Sequence, residues 1–448
     1  MIDATELTLL RNALDKLAEG YSALPEFSTE FDAGAVEDVL QEVAMRMHDN
    51  FPYYHPQYAG QMLKPPHPVA RIAYAMSLWV NPNNHALDGG RASSAMEKEC
   101  VIELGGMFGW DGPLGHLTGG GTMANLEALW VAGRLHPGKR IVASEQSHYT
   151  HSRISEVLGL PFSPVAVTGD GRMDIVELEL LLREGNIGTV VATIGNTGLG
   201  AVDPLPDLVA LQSKYDFRIH ADAAYGGYFG LAGQLRDDTR AVYDSLAAVD
   251  SIVIDPHKHG LQPYGCGCIL FRDPSVGQLY KHSSPFTYFS SAELHLGEIS
   301  LECSRPGASA VALWATQRLL PLVREGEFAA MLDDCLYAAR DFWKRLRDSK
   351  YFVPLMEPEL DIVVYAVDAP DSRAASERAR RVFAKAAKHD LHLAMIELPV
   401  QLVQRHAPGI KANSETITCL RSVLMKPEHL DWLDRIVELL ELSATEIA

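Results

Sequence analysis

The chain has 448 residues, 47% of them hydrophobic and 22% charged, which suits a globular protein with one large core and a second, smaller one. Its 58 acidic residues outnumber its 39 basic ones, and a formal charge of -19 repels nucleic-acid phosphates and anionic lipid, so neither is expected as a partner. No apolar run approaches the ~20 residues that span a bilayer, the start Met1-Ile2-Asp3-Ala4-Thr5-Glu6 lacks a secretory pattern, and the scattered cysteines do not read as a disulfide framework. The cytoplasm is therefore the expected location.

In chain order, residues 1–50 predict two amphipathic helices separated by a turn-rich stretch around Pro25, and 51–68, rich in Pro, His and Tyr, predict irregular structure. Helical periodicity covers 94–108 and 123–134. Short apolar runs follow at Ile141 to Ala143, Val165 to Val167, Thr189 to Ile194, Phe217 to Ala221, Ser251 to Ile254 and Cys268 to Phe271. Helices fit between several of them, one beginning at Asp174 with Glu177 three residues on, a capping-box spacing. Buried runs alternating with helices predict an α/β fold with a largely parallel sheet covered on both faces. A long helical stretch at 306–348 leads into strands at Asp361 to Val367, Leu391 to Leu398 and Glu415 to Met425, with helices at 372–388 and 427–442. The expected division is an N-terminal helical segment at 1–68, a large domain at 69–325 and a small C-terminal α+β domain at 326–448.

Ligands in parallel sheets bind beyond the carboxyl ends of the strands, and the chemically suggestive residues fall there. Lys258, in Asp255-Pro256-His257-Lys258-His259, is either a loop lysine or an imine-forming amine, whose pKa desolvation and nearby positive charge lower readily. Asp222 sits among small residues in His220-Ala221-Asp222-Ala223-Ala224-Tyr225-Gly226-Gly227. Alone it could cap a helix or bind a metal; paired with Lys258 it suits pyridoxal 5'-phosphate (PLP), whose ring nitrogen must stay protonated against a carboxylate. Gly119-Gly120-Gly121-Thr122 opens a helix, where backbone N–H groups and the helix dipole favour a phosphate. It lacks the Gly-Lys-Ser/Thr ending of a nucleotide P-loop. His148, in Ser147-His148-Tyr149-Thr150, is either a structural histidine or a ring stacked on a cofactor. Cys266-Gly267-Cys268 lacks a second pair at metal-ligand spacing, so no metal is expected.

The order of phosphate loop, His, Asp and Lys resembles the group II PLP-dependent amino-acid decarboxylases of the aspartate-aminotransferase-like fold, from about residue 55 to 425. Asp222 to Gly227 and Asp255 to Lys258 are its most specific pieces. The continuation Gly265 to Asp273 looks most like the short microbial tyrosine/aspartate decarboxylases, and Cys303-Ser304-Arg305-Pro306-Gly307 also resembles a decarboxylase segment. The resemblance implies that Gly121 and Thr122 hold the phosphate with His257 beside it, and that His148 stacks on the ring and Ala224 packs under it. Thr197 would contact the cofactor, and Asp203 would be a supporting carboxylate. Departures are His259, where many relatives have Trp after the lysine, Asn196 within Gly195-Asn196-Thr197, and Gly89-Gly90-Arg91-Ala92-Ser93 in place of a Ser-Pro.

Two more residues are candidates for work on the substrate. Arg421 lies on the strand where relatives often bind a substrate carboxylate, a task a guanidinium suits; a surface ion pair is the alternative. Tyr288, in a loop after the sheet, stands where related decarboxylases use a Tyr to protonate the substrate carbon; a core or interface aromatic is the alternative. The leading expectation is decarboxylation of a tyrosine-like or acidic L-amino acid by a homodimer with shared active sites. The competing expectations are carbon–carbon lysis of the sphingosine-phosphate lyase type, transamination, and non-catalytic PLP binding.

Overall fold

In the computed structural model, residues 3–281 and 294–447 are described. The chain begins with two helices, α1 (Ala4–Glu19) and α2 (Ala33–Met47), capped by Asp3 and Asp32, and neither buries a residue. Helices α3 (Pro68–Ser77) and α4 (Leu87–Met107) lead into β1 (Leu114–Thr118), α5 (Gly121–Leu135), β2 (Arg140–Ser144), α6 (Thr150–Leu158), β3 (Phe162–Val165) and α7 (Ile175–Glu184). Then come β4 (Ile187–Thr193), α8 (Leu205–Gln212), β5 (Arg218–Asp222), α9 (Asp237–Asp244), β6 (Ser251–Ile254) and β7 (Gly267–Phe271). The seven strands form one sheet in the order β1-β7-β6-β5-β4-β2-β3. Strands β6, β5, β4, β2 and β3 pair in parallel, and β7 runs antiparallel to both β6 and β1. Every residue of β4 is buried, as expected of a parallel strand covered on both faces.

Helix α10 (Gly307–Leu319) packs back on α3 and α4, and the second part comprises α11 (Glu327–Asp348), β8 (Phe352–Pro354), β9 (Ile362–Val367), α12 (Ser372–Lys388), β10 (Ala394–Pro399), α13 (Val400–His406), β11 (Thr416–Val423) and α14 (His429–Thr445). Its four strands make an antiparallel sheet, ordered β10-β11-β9-β8. One core runs from Val190, Ile219 and Ile252 of the large sheet to Ile362, Val364 and Ile417 of the small one. A second packs Phe342, Tyr365, Leu420 and Leu433 within the small part. The two sheets therefore share one continuous apolar cluster, to which the helices and loops between them also contribute.

Three local expectations need correction. The stretch at 306–348 is two helices, because Pro321 cannot continue the i→i−4 ladder and the chain turns before Glu327. Strand β1 was not foreseen: Leu114-Gly115-His116-Leu117-Thr118 is short and carries a Gly and a His, and only pairing with β7 makes it a strand. Strand β3 lies at 162–165 rather than 165–167. The capping reading of Asp174 holds, since its carboxylate accepts from the Val176 and Glu177 amides at the start of α7.

Candidate active site

Strands β1, β2, β4, β5 and β6 run in one direction, and the residues following their carboxyl ends line one cavity of about 340 Å³. That volume is within the ~300–1,000 Å³ of ordinary small-molecule sites. The segment after β1 supplies Gly119 to Met123, that after β2 supplies His148 and Thr150, and β4 supplies Thr193 with Gly195 and Thr197 beyond it. Strand β5 supplies Asp222, followed by Ala224 and Tyr225, and the segment after β6 supplies Asp255, His257 and Lys258.

Asp222, the last residue of β5, has the most complete set of partners. His151 Nε2 lies 2.8 Å from its Oδ2, Asn125 Nδ2 donates to the same oxygen at 3.3 Å, and the Ala224 amide donates to Oδ1 at 3.2 Å. Asn125 is held in turn by His220, which also reaches Ser251. Burial alone would raise the Asp222 carboxyl. The His151 bond, with the charges of His151, Lys258 and His220, outweighs it and holds the group well below the usual carboxylate range. His220 itself is pushed down to about 3, chiefly by burial. Asp222 is thus an ionised carboxylate in a buried place.

Lys258 follows a turn in which its amide donates to the Asp255 carbonyl, and its Nζ lies 3.1 Å from Asp255 Oδ2. The glycine loop comes close to the same carboxylate. A Cβ on Gly121 would stand 2.8 Å from Asp255 Oδ2, so only glycine allows α5 to start this near Lys258. His257 Nε2 is 3.5 Å from Asp255 Oδ2, and its Nδ1 accepts from the Cys266 amide. Desolvation lowers the pKa of both His257 and His148, which keeps them neutral near pH 7. His148 Nδ1 lies 2.8 Å from the Thr150 hydroxyl, which fixes the ring.

Of the residues singled out in the sequence, Gly121, Thr122, His148, Thr197, Asp222, Ala224, His257 and Lys258 meet at this cavity. Asp203 does not line it. Its two oxygens accept from the Met173 and Thr193 amides, so it holds the backbone at the end of β4 from behind. Arg421, on β11, is buried and also absent from the lining, and its Nε and Nη2 have no hydrogen-bond partner among the described residues. Tyr288 lies outside the described residues. Sequence reasoning missed His151, Asn125 and Asp255. The first two are far from Asp222 in sequence and carry no motif, but Asp255 stands three residues before Lys258 and its spacing was a readable signal.

The cavity fits a phosphorylated, flat, nitrogen-containing ring bearing an aldehyde. It opens on the first turn of a 15-residue helix whose glycines bare their amides, and it holds the ionised Asp222 carboxylate and, beside Asp255, one primary amine. Two buried lining oxygens, Thr193 Oγ1 and Asp255 Oδ1, also lack a hydrogen-bond partner among the described residues. Fold and site together define a PLP-dependent enzyme built on the type I, aspartate-aminotransferase-like architecture.

Comparison with known proteins narrows the class. Residues 127–368, more than half of the chain, match the pyridoxal-dependent decarboxylase conserved domain, and the chain belongs to that family. A probable L-tyrosine/L-aspartate decarboxylase of Methanothermobacter thermautotrophicus is 30% identical over 314 residues, covering 68% of this chain and 82% of the relative. The L-aspartate decarboxylase of Thermococcus kodakarensis is 28% identical, covering 73% and 84%. The L-tyrosine decarboxylase of Enterococcus faecalis is 26% identical, covering 77% and 71%. Among solved structures, Oryza sativa TDC with PLP and tryptamine superimposes with a TM-score of 0.80 at 17% identity, covering 100% of this chain and 99% of that one. Mouse CSAD gives 0.79 at 22%, covering 99% and 93%. At such identities the structures speak for the fold alone. The cofactor is pyridoxal 5'-phosphate and the reaction is PLP-dependent decarboxylation of an amino acid; carbon–carbon lysis and non-catalytic binding are not favoured.

Proposed function

We propose that Lys258 is the amine that carries the cofactor and that Asp222 holds the proton on its pyridine nitrogen. The supporting observation is that an ionised, buried carboxylate and a primary amine share one cavity with a glycine-rich helix start. When bound, PLP supplies an electron sink for the pair released as the carboxylate leaves. Gly121 and Thr122 would hold the phosphate with His257 beside them, and Thr197 and Ala224 would flank the ring. His148, its ring fixed by Thr150 and its pKa lowered by desolvation, would stand against the cofactor ring. Asp203 keeps Thr193 in place at the cavity wall. Arg421 lies outside the cavity lining, but its Nε and Nη2, unpartnered among the described residues, would receive the substrate carboxylate, and Tyr288 would return a proton to the substrate α-carbon.

The relatives divide between tyrosine and aspartate. The active species is a homodimer: Phe27, Phe31 and Trp79 are 89%, 73% and 66% exposed, and such large apolar side chains suit contact with a second copy of the chain. The chain works in the cytoplasm, in keeping with six unpaired cysteines. No helix among the described residues is long and apolar enough to cross a membrane. Carbon dioxide release from each of the twenty amino acids by wild type and Lys258→Ala tests the reading. Release with aspartate or tyrosine that vanishes in the variant supports it, and equal release by both proteins contradicts it.

A further inference from the structure

A second buried polar cluster lies where the two sheets meet, and no step described so far uses it. Asp361, fully buried, stands immediately before β9 in the small sheet, and its backbone carbonyl accepts from the Leu424 amide after β11. Its Oδ1 accepts a short hydrogen bond from the Tyr225 hydroxyl, and its Oδ2 lies 3.1 Å from His259 Nε2, a close charge–dipole approach without the alignment of a hydrogen bond. The Tyr225 and His259 rings meet edge to face with centroids 5.0 Å apart, and Phe229 packs against the same imidazole at 4.7 Å. Tyr225 comes three residues after Asp222, and His259 directly follows Lys258. One carboxylate of the small sheet therefore engages both segments that carry the chemistry.

The electrostatics support an ionised Asp361. Burial raises its carboxyl, but the facing His259 imidazole, the Tyr225 bond and the charge of Lys64 together keep it below the ordinary value, while burial lowers the pKa of His259 itself. Tyr225 is driven well above its usual range, first by burial and then by Asp361, so it stays a hydroxyl donor. Removing one partner of such a buried group leaves the other uncompensated. Phe or Trp at position 259 would fill the space against Phe229 but leave Asp361 Oδ2 without its imidazole.

We propose that Asp361 is a positioning residue for the decarboxylation: acting through His259 and Tyr225, it ties the Lys258 segment and the Asp222–Tyr225 segment to the small sheet and thereby sets where the Lys258 amine stands. The proposal rests on Lys258 being the reactive amine. It gives the His after the lysine a specific task and makes the seating of the small sheet part of the catalytic geometry.

The test uses the full chain and two readouts. In cofactor-free protein, a limiting amount of acetic anhydride labels lysines in competition, and mass spectrometry gives the labelling of Lys258 relative to Lys139. In the PLP-loaded enzyme, kcat and KM for carbon dioxide release are measured. Asp361→Asn should change the labelling ratio by about threefold or more and lower kcat about tenfold, with KM moved by less than about threefold. If Asp361→Asn yields no folded protein, Tyr225→Phe, which removes one hydroxyl and keeps the ring, carries the same test with the same outcomes. A lower thermal midpoint with both readouts unchanged means a merely structural tie and overturns the proposal, as does a change in one readout without the other. Borohydride mapping of wild type to another lysine would instead overturn the Lys258 assignment.

Discussion

Asp222 and Asp203 are both buried carboxylates at the same edge of the large sheet, and they titrate in opposite directions. Asp222 meets His151, Asn125 and the Ala224 amide within reach of the Lys258 charge, and it is held low. Asp203 meets only the amides of Thr193 and Met173. Burial, partly offset by those two bonds, pushes it up to about 6. Backbone donors satisfy a carboxylate but supply no charge, so desolvation dominates; a cationic partner reverses the balance. The group that lines the cavity is the one held low, so it keeps its charge across the whole working pH range, which is what a partner for a protonated ring nitrogen requires. The other braces the wall.

Substitutions at the two sites should separate these roles. The largest effect is expected from Asp222→Ala, which should retain PLP yet lose about a hundredfold or more in kcat, the scale of one well-placed electrostatic group. Asp222→Glu should lose less. Steady-state kinetics beside a PLP titration checks this, and near-normal kcat in the alanine variant would make the two carboxylates equivalent. Next, His151→Leu removes the bond that does most to hold Asp222 low. Its carboxyl should rise, moving the acid limb of the kcat profile to higher pH and lowering kcat about tenfold. An unmoved acid limb would show that other partners suffice.

The smallest effect is on stability alone. Folded Asp203 binds its proton more tightly than the unfolded residue, at about 6 against 3.8, so the group favours folding increasingly as pH falls through that window. Wild type should therefore gain on Asp203→Asn by up to about 3 kcal/mol between about pH 7 and pH 4. Asp222 has the opposite sign. Its stabilisation is complete above the unfolded value of 3.8 and is lost only below it, so Asp222→Asn should differ from wild type by a constant amount over the same window. Urea unfolding of the three proteins at several pH values reads both trends.

Much of the site was legible in the sequence because its residues sit at strand ends in local phrases: the glycine run before α5, Asp222 among alanines and glycines, Lys258 between histidines. What the sequence withheld was mostly long-range. His151 and Asn125 reach Asp222 from 71 and 97 residues away, and nothing near either announces the contact. Asp361 lies 136 residues beyond Tyr225 and joins it only because the small part packs on the segments that follow the large sheet's strands. Arg421 was readable as a guanidinium on the right strand, but not its burial beside Tyr225 and Asp361. In the fold, β1 escaped because a five-residue strand with Gly115 and His116 owes its form to β7. Helices α10 and α11 were merged because their apolar periodicity continues across Pro321.

The central claim is that Lys258, beside Asp255 and in one cavity with an ionised Asp222, is the amine that takes up the cofactor. Borohydride reduction of the PLP-loaded protein, followed by proteolysis and mass spectrometry, tests it most directly, because reduction fixes the cofactor to whichever lysine carries it. The expected result is a single modified peptide containing Lys258, with no modification in Lys258→Ala. Modification of any other lysine in the wild-type protein would contradict it.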